Sequence, residues 1–189
     1  MLIMEKGIEK RIALLQSING ETYSQIQTIA DVIAAAIRKG GKVLSAGNGG
    51  SAANAQHITG DIVGRYKIER KAYAAISLTV DPCVMTATGN DYGYDEVFAR
   101  QVEGLGNKGD VLIVLSSSAH SPNLVKAVAS GKELGLTIIG FLGNNGGSLK
   151  ASCDYSICIE PKDSDLSEEY AMAMCHTILE EVEKQLVKA

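Results

Sequence analysis

Apolar residues recur along this chain with two different periods. Ile8, Ile12, Leu15 and Ile18 follow one another at three- and four-residue spacing until Asn19-Gly20 interrupts them. A second run carries Ile26, Ile29, Val32, Ile33 and Ile37 and stops at Lys39-Gly40-Gly41, a basic last turn followed by glycine. These spacings predict two helices within 3–39. The period then shortens. Residues 42–46, 72–78, 110–115, 136–142 and 154–160 are short β-prone runs, mostly separated by helical stretches. A final helix is expected from about Asp165 to Lys188, burying Tyr170, Met174, Ile178 and Val182. Strands alternating with helices imply βαβ units, hence an α/β fold with a mainly parallel sheet covered on both faces.

Length keeps this to one domain. At 189 residues the chain is expected to form a single unit (1–189), with helices over 1–40 ahead of a core over 41–189. The leading helices could cover that core or pack on another subunit. Hydrophobic residues make up 46% and charged residues 21%, which excludes a disordered chain. A net charge of −4, no Trp and two Phe argue against a nucleic-acid surface. No apolar run reaches membrane-spanning length, the longest being VLIVL at 111–115, so no membrane partner is expected. Cys83, Cys153, Cys158 and Cys175 form no C-x-x-C pair and read as buried free thiols in a reducing cytoplasm, with Cys153 and Cys158 on opposite faces of a strand.

In open α/β sheets ligands bind beyond the carboxyl ends of the strands. The first strand runs into Gly47-Asn48-Gly49-Gly50-Ser51-Ala52, followed by a helix that offers free N–H groups to an anion or sugar. The same residues match G-x-G-x-x-A, but the ribose-binding acid of a dinucleotide site is missing; the nearest acid after the second strand is Asp81. The third strand runs into Ser116-Ser117-Ser118-Ala119-His120-Ser121-Pro122, with Ser121 placed to cap the next helix. Four hydroxyls at a helix start suit a phosphate monoester without a lysine. A serine-rich loop with one capping serine is the plainer reading. Gly143–Ser148 reads as turn chemistry with no ligand role.

His57 and Asp61 lie four apart and share a helical face. Glu168 and His176 lie eight apart on the last helix, and Glu169 fits the face of His176 better by period. Two histidines and two carboxylates would suit zinc if the two helices meet; otherwise they are a half-buried histidine and solvated charges. Arg65 could bind phosphate or pair with a surface acid, and Asn90-Asp91 could orient sugar hydroxyls or cap a turn.

In order along the chain, GNGGSAANAQH, GRY, GNDYGY, FARQVE, LGNKGDVLI and SSSAHSPN resemble the SIS-domain sugar-phosphate isomerases, above all the phosphoheptose isomerase family. That resemblance implies a three-layer αβα sandwich, flavodoxin-like, with a five-stranded parallel sheet. It implies a homotetramer with active sites between subunits. The activity implied is interconversion of sedoheptulose 7-phosphate and D-glycero-D-manno-heptose 7-phosphate, early in bacterial heptose biosynthesis. Zinc would be held at His57, Asp61, Glu168 and His176, with Asp61 and His176 catalytic. Substrate would be lined by Asn48, Gly49, Gly50, Ser51, Arg65, Asn90, Asp91, Ser116, Ser117, Ser118, Ser121, Asp165 and Glu168.

Three positions depart from the family pattern. Asp61 stands for the family's Glu, Glu168 for its Gln, and Ala119-His120 for its Gly-Asn. A shorter base changes its reach to the substrate proton. An added carboxylate changes metal preference, and alanine tolerates positive φ less well than glycine. A second reading is a non-catalytic SIS tetramer of the replication-initiator-associating type, which has no need of four polar groups in one cleft.

Overall fold

The computed structural model describes residues 3–160 and 163–187. Two helices come first: α1, Ile3–Gln16, and α2, Gly20–Arg38. Asn19 starts α2 by accepting the N–H groups of Glu21 and Thr22 on its side chain. Five strands follow: β1 (Val43–Gly47), β2 (Ala75–Ser77), β3 (Val111–Ser116), β4 (Thr137–Leu142) and β5 (Tyr155–Cys158). Between and after them run α3 (Gly50–Val63), α4 (Pro82–Tyr92), α5 (Ala99–Leu105), α6 (Pro122–Leu134) and α7 (Ser164–Val187). Lys188, the expected end of the last helix, lies outside the described residues.

All pairings are parallel, in the order β2-β1-β3-β4-β5. This is the flavodoxin-like order. β1 and β3 are buried along their whole length because helices cover both faces. Alternate residues of β3 feed two cores. Val111, Ile113 and Leu115 face α2, α3 and α7, while Leu112 and Val114 face Phe98, Val102, Leu124 and Val128. The expected α7 stripe of Tyr170, Met174, Ile178 and Val182 is buried in the first core.

The two leading helices differ in packing, and the expectation for the cysteines needs correction. α2 packs on α7, but α1 buries none of its residues, and Ile8, Ile12 and Leu15 are 58%, 49% and 47% exposed. The apolar period of α1 is therefore real, yet among the described residues its face is left uncovered. Among the cysteines, all free, only Cys175 is fully buried, and Cys83 is exposed. Cys153 precedes β5, so it and Cys158 pack on the same core rather than on opposite faces. Burial there pushes the Cys153 thiol up to about 12. Among the described residues no helix is long and apolar enough to cross a membrane.

Candidate functional site

The carboxyl ends of β1 and β3 adjoin at the middle of the sheet, where the strand order reverses. Their two loops are tied together by side chains. Asn48 Nδ2 donates to Asn123 Oδ1 at 3.0 Å, and Asn123 Nδ2 returns a bond to Asn48 Oδ1 at 2.9 Å. Tyr94 adds its hydroxyl to the same Asn48 oxygen at 3.1 Å. Gly49, at φ 57°, forms the N-cap of α3 without a side-chain bond, leaving the first N–H groups of α3 without a capping side chain. Ser51 is buried in that first turn.

The serine loop is compact. Ser118 Oγ lies 3.5 Å from both Ser116 Oγ and Ser121 Oγ, and Ser116 Oγ accepts the Ala119 N–H at 3.0 Å. Ser117 is half-buried beside them. Ser121 is the N-cap residue of α6, but its hydroxyl makes no cap bond, which corrects the expected capping role. Ala119 adopts φ 55°, a conformation that costs a residue with a Cβ about 1–2 kcal/mol. The loop after β4 holds it there. Its Ser148 and Leu149 N–H groups donate to the Ala119 carbonyl at 3.1 and 3.3 Å, and His120 Nδ1 lies 3.2 Å from Ser148 Oγ. Residues 143–149 therefore brace the serine loop, a role that turn chemistry alone does not reveal.

The helices carrying the ligand-type residues do meet. His57 and Asp61 project from α3 toward His176 on α7 within one chain. The two Nε2 atoms are 3.2 Å apart, and Asp61 Oδ2 lies 3.4 Å from His57 Nε2 and 3.8 Å from His176 Nε2. Asp61 Oδ2 is buried and has no hydrogen-bond partner. A tetrahedral ion with bonds of about 2.0–2.2 Å places its ligands about 3.3–3.6 Å apart, so the trio and its orphaned oxygen fit a small divalent cation. Burial, then the neighbouring His57, push His176 below the usual imidazole value against the pull of Asp61. That favours the neutral ring a metal needs. The ring of Tyr66 lies parallel to His176, 5.3 Å between centroids.

Glu168 does not join the trio. Eight residues of helix separate it from His176 by about 12 Å along the axis, and its carboxylate sits against Gly50, where a Cβ would overlap it. Asn54 Nδ2 holds the Glu168 carbonyl at 2.9 Å. Burial, with Asp165 and Glu169 nearby, raises the Glu168 carboxyl above the usual range. Asp165 and Glu169 both pair with Arg11 of α1, at 2.8 and 2.7 Å. Arg65 is exposed and pairs with Glu69 at 3.5 Å. Asn90 and Asp91 form the last turn of α4 rather than a separate turn, Asn90 Nδ2 donating to Asp91 Oδ1 at 2.8 Å. Asp81, the acid nearest a dinucleotide ribose position, caps α4 instead.

Sequence reasoning passed over Tyr66, Asn123, Arg70 and Glu183. Glu183 lies seven residues after His176, on the same face of α7, and its neighbour Val182 belongs to the buried stripe. That placement was the available signal.

A parallel sheet with two loops converging at its switch point, beside three side chains that could hold a cation, defines an α/β protein of the kind that binds small ligands beyond its strand ends. The sequence pattern of the SIS domain matches residues 8–143, more than half of the chain. A phosphoheptose isomerase of Bradyrhizobium sp. (strain ORS 278) is 47% identical over 172 residues, covering 91% of this chain and 87% of that protein. Solved phosphoheptose isomerases superpose closely. The one from Neisseria gonorrhoeae gives a TM-score of 0.85 at 32% identity, covering 96% of this chain and 97% of that one. The one from Francisella tularensis gives 0.85 at 30%, covering 96% and 94%. The chain belongs to the SIS domain family and, within it, to the phosphoheptose isomerases.

Proposed function

We propose that this chain interconverts sedoheptulose 7-phosphate and D-glycero-D-manno-heptose 7-phosphate by proton transfer through an enediol, with zinc at His57, Asp61 and His176. The observation that carries the proposal is the meeting of those three side chains around a buried, unpartnered carboxylate oxygen. A bound zinc would polarise the sugar carbonyl and lower the cost of the developing oxyanion. Asp61 takes the proton from the first carbon of the ketose and, once protonated, delivers that proton or one exchanged from solvent to the second carbon to give the aldose. His176 Nε2 moves a proton between the two neighbouring sugar oxygens. The same atom faces the cation position, so it can carry that proton only while zinc is held by His57 and Asp61 alone. Ser116, Ser117, Ser118 and Ser121 bind the phosphate. Asn48, Gly49, Gly50, Ser51, Arg65, Asn90, Asp91, Asp165 and Glu168 are assigned to the sugar, with Glu168 also available as a fourth ligand if its side chain leaves Gly50.

The unit of function is assigned as the whole chain, 1–189, in a homotetramer. The uncovered apolar stripe of α1 supports this, because it exposes Ile8, Ile12 and Leu15 on one face. Half-exposed His57 leaves room for a neighbouring subunit to close the site. Four free cysteines suit the cytoplasm.

Zinc titration and product formation, followed by NMR on the wild type and on Asp61→Asn and His176→Ala, test the assignment. Tight zinc binding with turnover lost in both variants is expected. Unchanged turnover in both would remove the proposed base and acid. A zinc-loaded wild type that leaves sedoheptulose 7-phosphate untouched would favour the scaffold.

A further inference from the structure

Beneath the three-ligand cluster lies a second group of polar side chains, cut off from water. The Glu183 side chain is 3% exposed and that of Arg70 4% exposed. Glu183 Oε1 accepts the Tyr66 N–H at 2.7 Å and Arg70 Nε at 2.9 Å. Its Oε2 accepts the N–H groups of Lys67 at 2.7 Å and Ile68 at 3.0 Å. Four donors on two oxygens nearly exhaust what a carboxylate can accept. The rest of the Arg70 guanidinium turns toward the end of α3. Nη2 donates to the Asp61 carbonyl at 2.8 Å, and Nη1 reaches the carbonyls of Ile62, Gly64 and Lys71 at 3.0, 3.3 and 3.1 Å. Its plane rests on the Tyr73 ring.

Stability alone explains this arrangement poorly. A buried ion pair contributes little net stability, since a well-packed apolar pair of similar volume often does as well. What an apolar pair could not do is fix backbone positions. Two of the places these bonds reach are functional. One is the backbone of Asp61. The other is the segment from Tyr66 to Ile68, whose first residue lays its ring on His176. Glu183 follows His176 by two turns, so the α7 face that presents one histidine to the trio also presents this carboxylate to the clamp.

We infer that Glu183 and Arg70 are positioning residues that set the spacing between Asp61 and His176, one by fixing the loop under Tyr66 and the other by holding the end of α3. The inference rests on the proposed cation site and names what orients its ligands. Groups that orient metal ligands typically change affinity by about 10- to 100-fold when removed.

The test compares wild type with Glu183→Gln and Arg70→Lys in full-length protein, at a temperature where circular dichroism shows each folded. Lysine keeps the charge of Arg70 but not its fork. Two quantities are read: zinc affinity by chelator competition, and the NMR position of the His176 Cε1–H in metal-free protein. Tyr66→Leu supplies the position of an unstacked ring. Asp110→Asn, which removes a buried carboxylate at the far end of the sheet, controls for general destabilisation. Zinc affinity is expected to fall about 10- to 100-fold in Glu183→Gln and Arg70→Lys and to stay unchanged in Asp110→Asn. The His176 signal should move from its wild-type position toward that of Tyr66→Leu. Should one clamp variant fail to fold, the other carries the comparison. An unmoved His176 signal overturns the inference. If the wild type binds no zinc, the cation proposal fails by itself, and the metal-free His176 signal still decides whether the clamp positions the ring.

Discussion

Gly143→Ala tests the coupling between the loop after β4 and the serine loop. Gly143 sits at φ −77°, where alanine is unstrained, so the whole effect comes from the added Cβ. That atom would lie 2.5 Å from Ser167 Oγ, 3.0 Å from the Ser117 carbonyl carbon and closer still to the Ser117 oxygen. An ordinary carbon–oxygen contact is about 3.3 Å. A serine hydroxyl can rotate away, but a backbone carbonyl cannot, and the Gly143 N–H is pinned to the Ser116 carbonyl at 2.9 Å. Relief therefore moves the Ser117 peptide by roughly an ångström. Overpacking of this kind costs about 1–3 kcal/mol. In a chain of this length that lowers Tm by about 2–12 °C. The functional cost is larger, because an ångström of misplacement at a binding loop can remove about 100-fold in rate. Thermal unfolding and steady-state kinetics with sedoheptulose 7-phosphate read both effects. A Tm within about 1 °C of wild type and an unchanged kcat/KM would refute the bracing role.

Ser118→Ala should raise KM by up to about tenfold and leave kcat nearly unchanged, because a phosphate contact serves ground and transition state alike; a constant KM would remove the serine loop from the phosphate. Asp110 is buried and accepts the Lys42 and Asn107 N–H groups and the Lys42 ammonium. Burial alone would raise its carboxyl, but the Lys42 bonds and the Asn107 N–H outweigh it and hold the carboxyl below the usual range. A depressed carboxyl stabilises the fold above its unfolded value and loses that contribution as pH falls through its folded value. Asp110→Asn should thus cost about 1.5–3 kcal/mol at pH 7, and the difference from wild type in denaturant titrations should shrink in acid; a pH-independent difference would contradict this. Gly104 faces open space inside α5. Gly104→Ala should therefore stabilise the protein by about 0.5–1 kcal/mol, seen as a higher Tm with unaltered turnover.

The periods of the apolar residues were enough to read a mainly parallel α/β sheet covered on both faces, while its five-stranded flavodoxin-like form came from the family resemblance. Each short β-prone run became a strand, and Asn19-Gly20 and Lys39-Gly40-Gly41 marked helix ends by chemistry that operates locally. The trio was legible only as pairs. Spacing along one helix places His57 with Asp61, but nothing in a linear pattern says that α3 crosses α7 at that height. Glu168 shows the same limit from the other side: its period permits a shared cleft with His176, while its side chain rests on a glycine two turns away. The clamp was missed because Arg70 reads as an ordinary charge until burial is known, and only the place of Glu183 beside the buried α7 stripe hinted at it. The α1 stripe was read correctly as apolar, but no periodicity states whether one chain or its neighbour covers it.

The proposed reaction depends on Asp61 removing a carbon-bound proton from a phosphorylated ketose at this site. Incubating zinc-loaded protein with sedoheptulose 7-phosphate in deuterated water and locating the label by NMR tests it directly. Deuterium is expected at the second carbon of the heptose product, with none incorporated by Asp61→Asn. Label still incorporated by Asp61→Asn at the wild-type rate would contradict it.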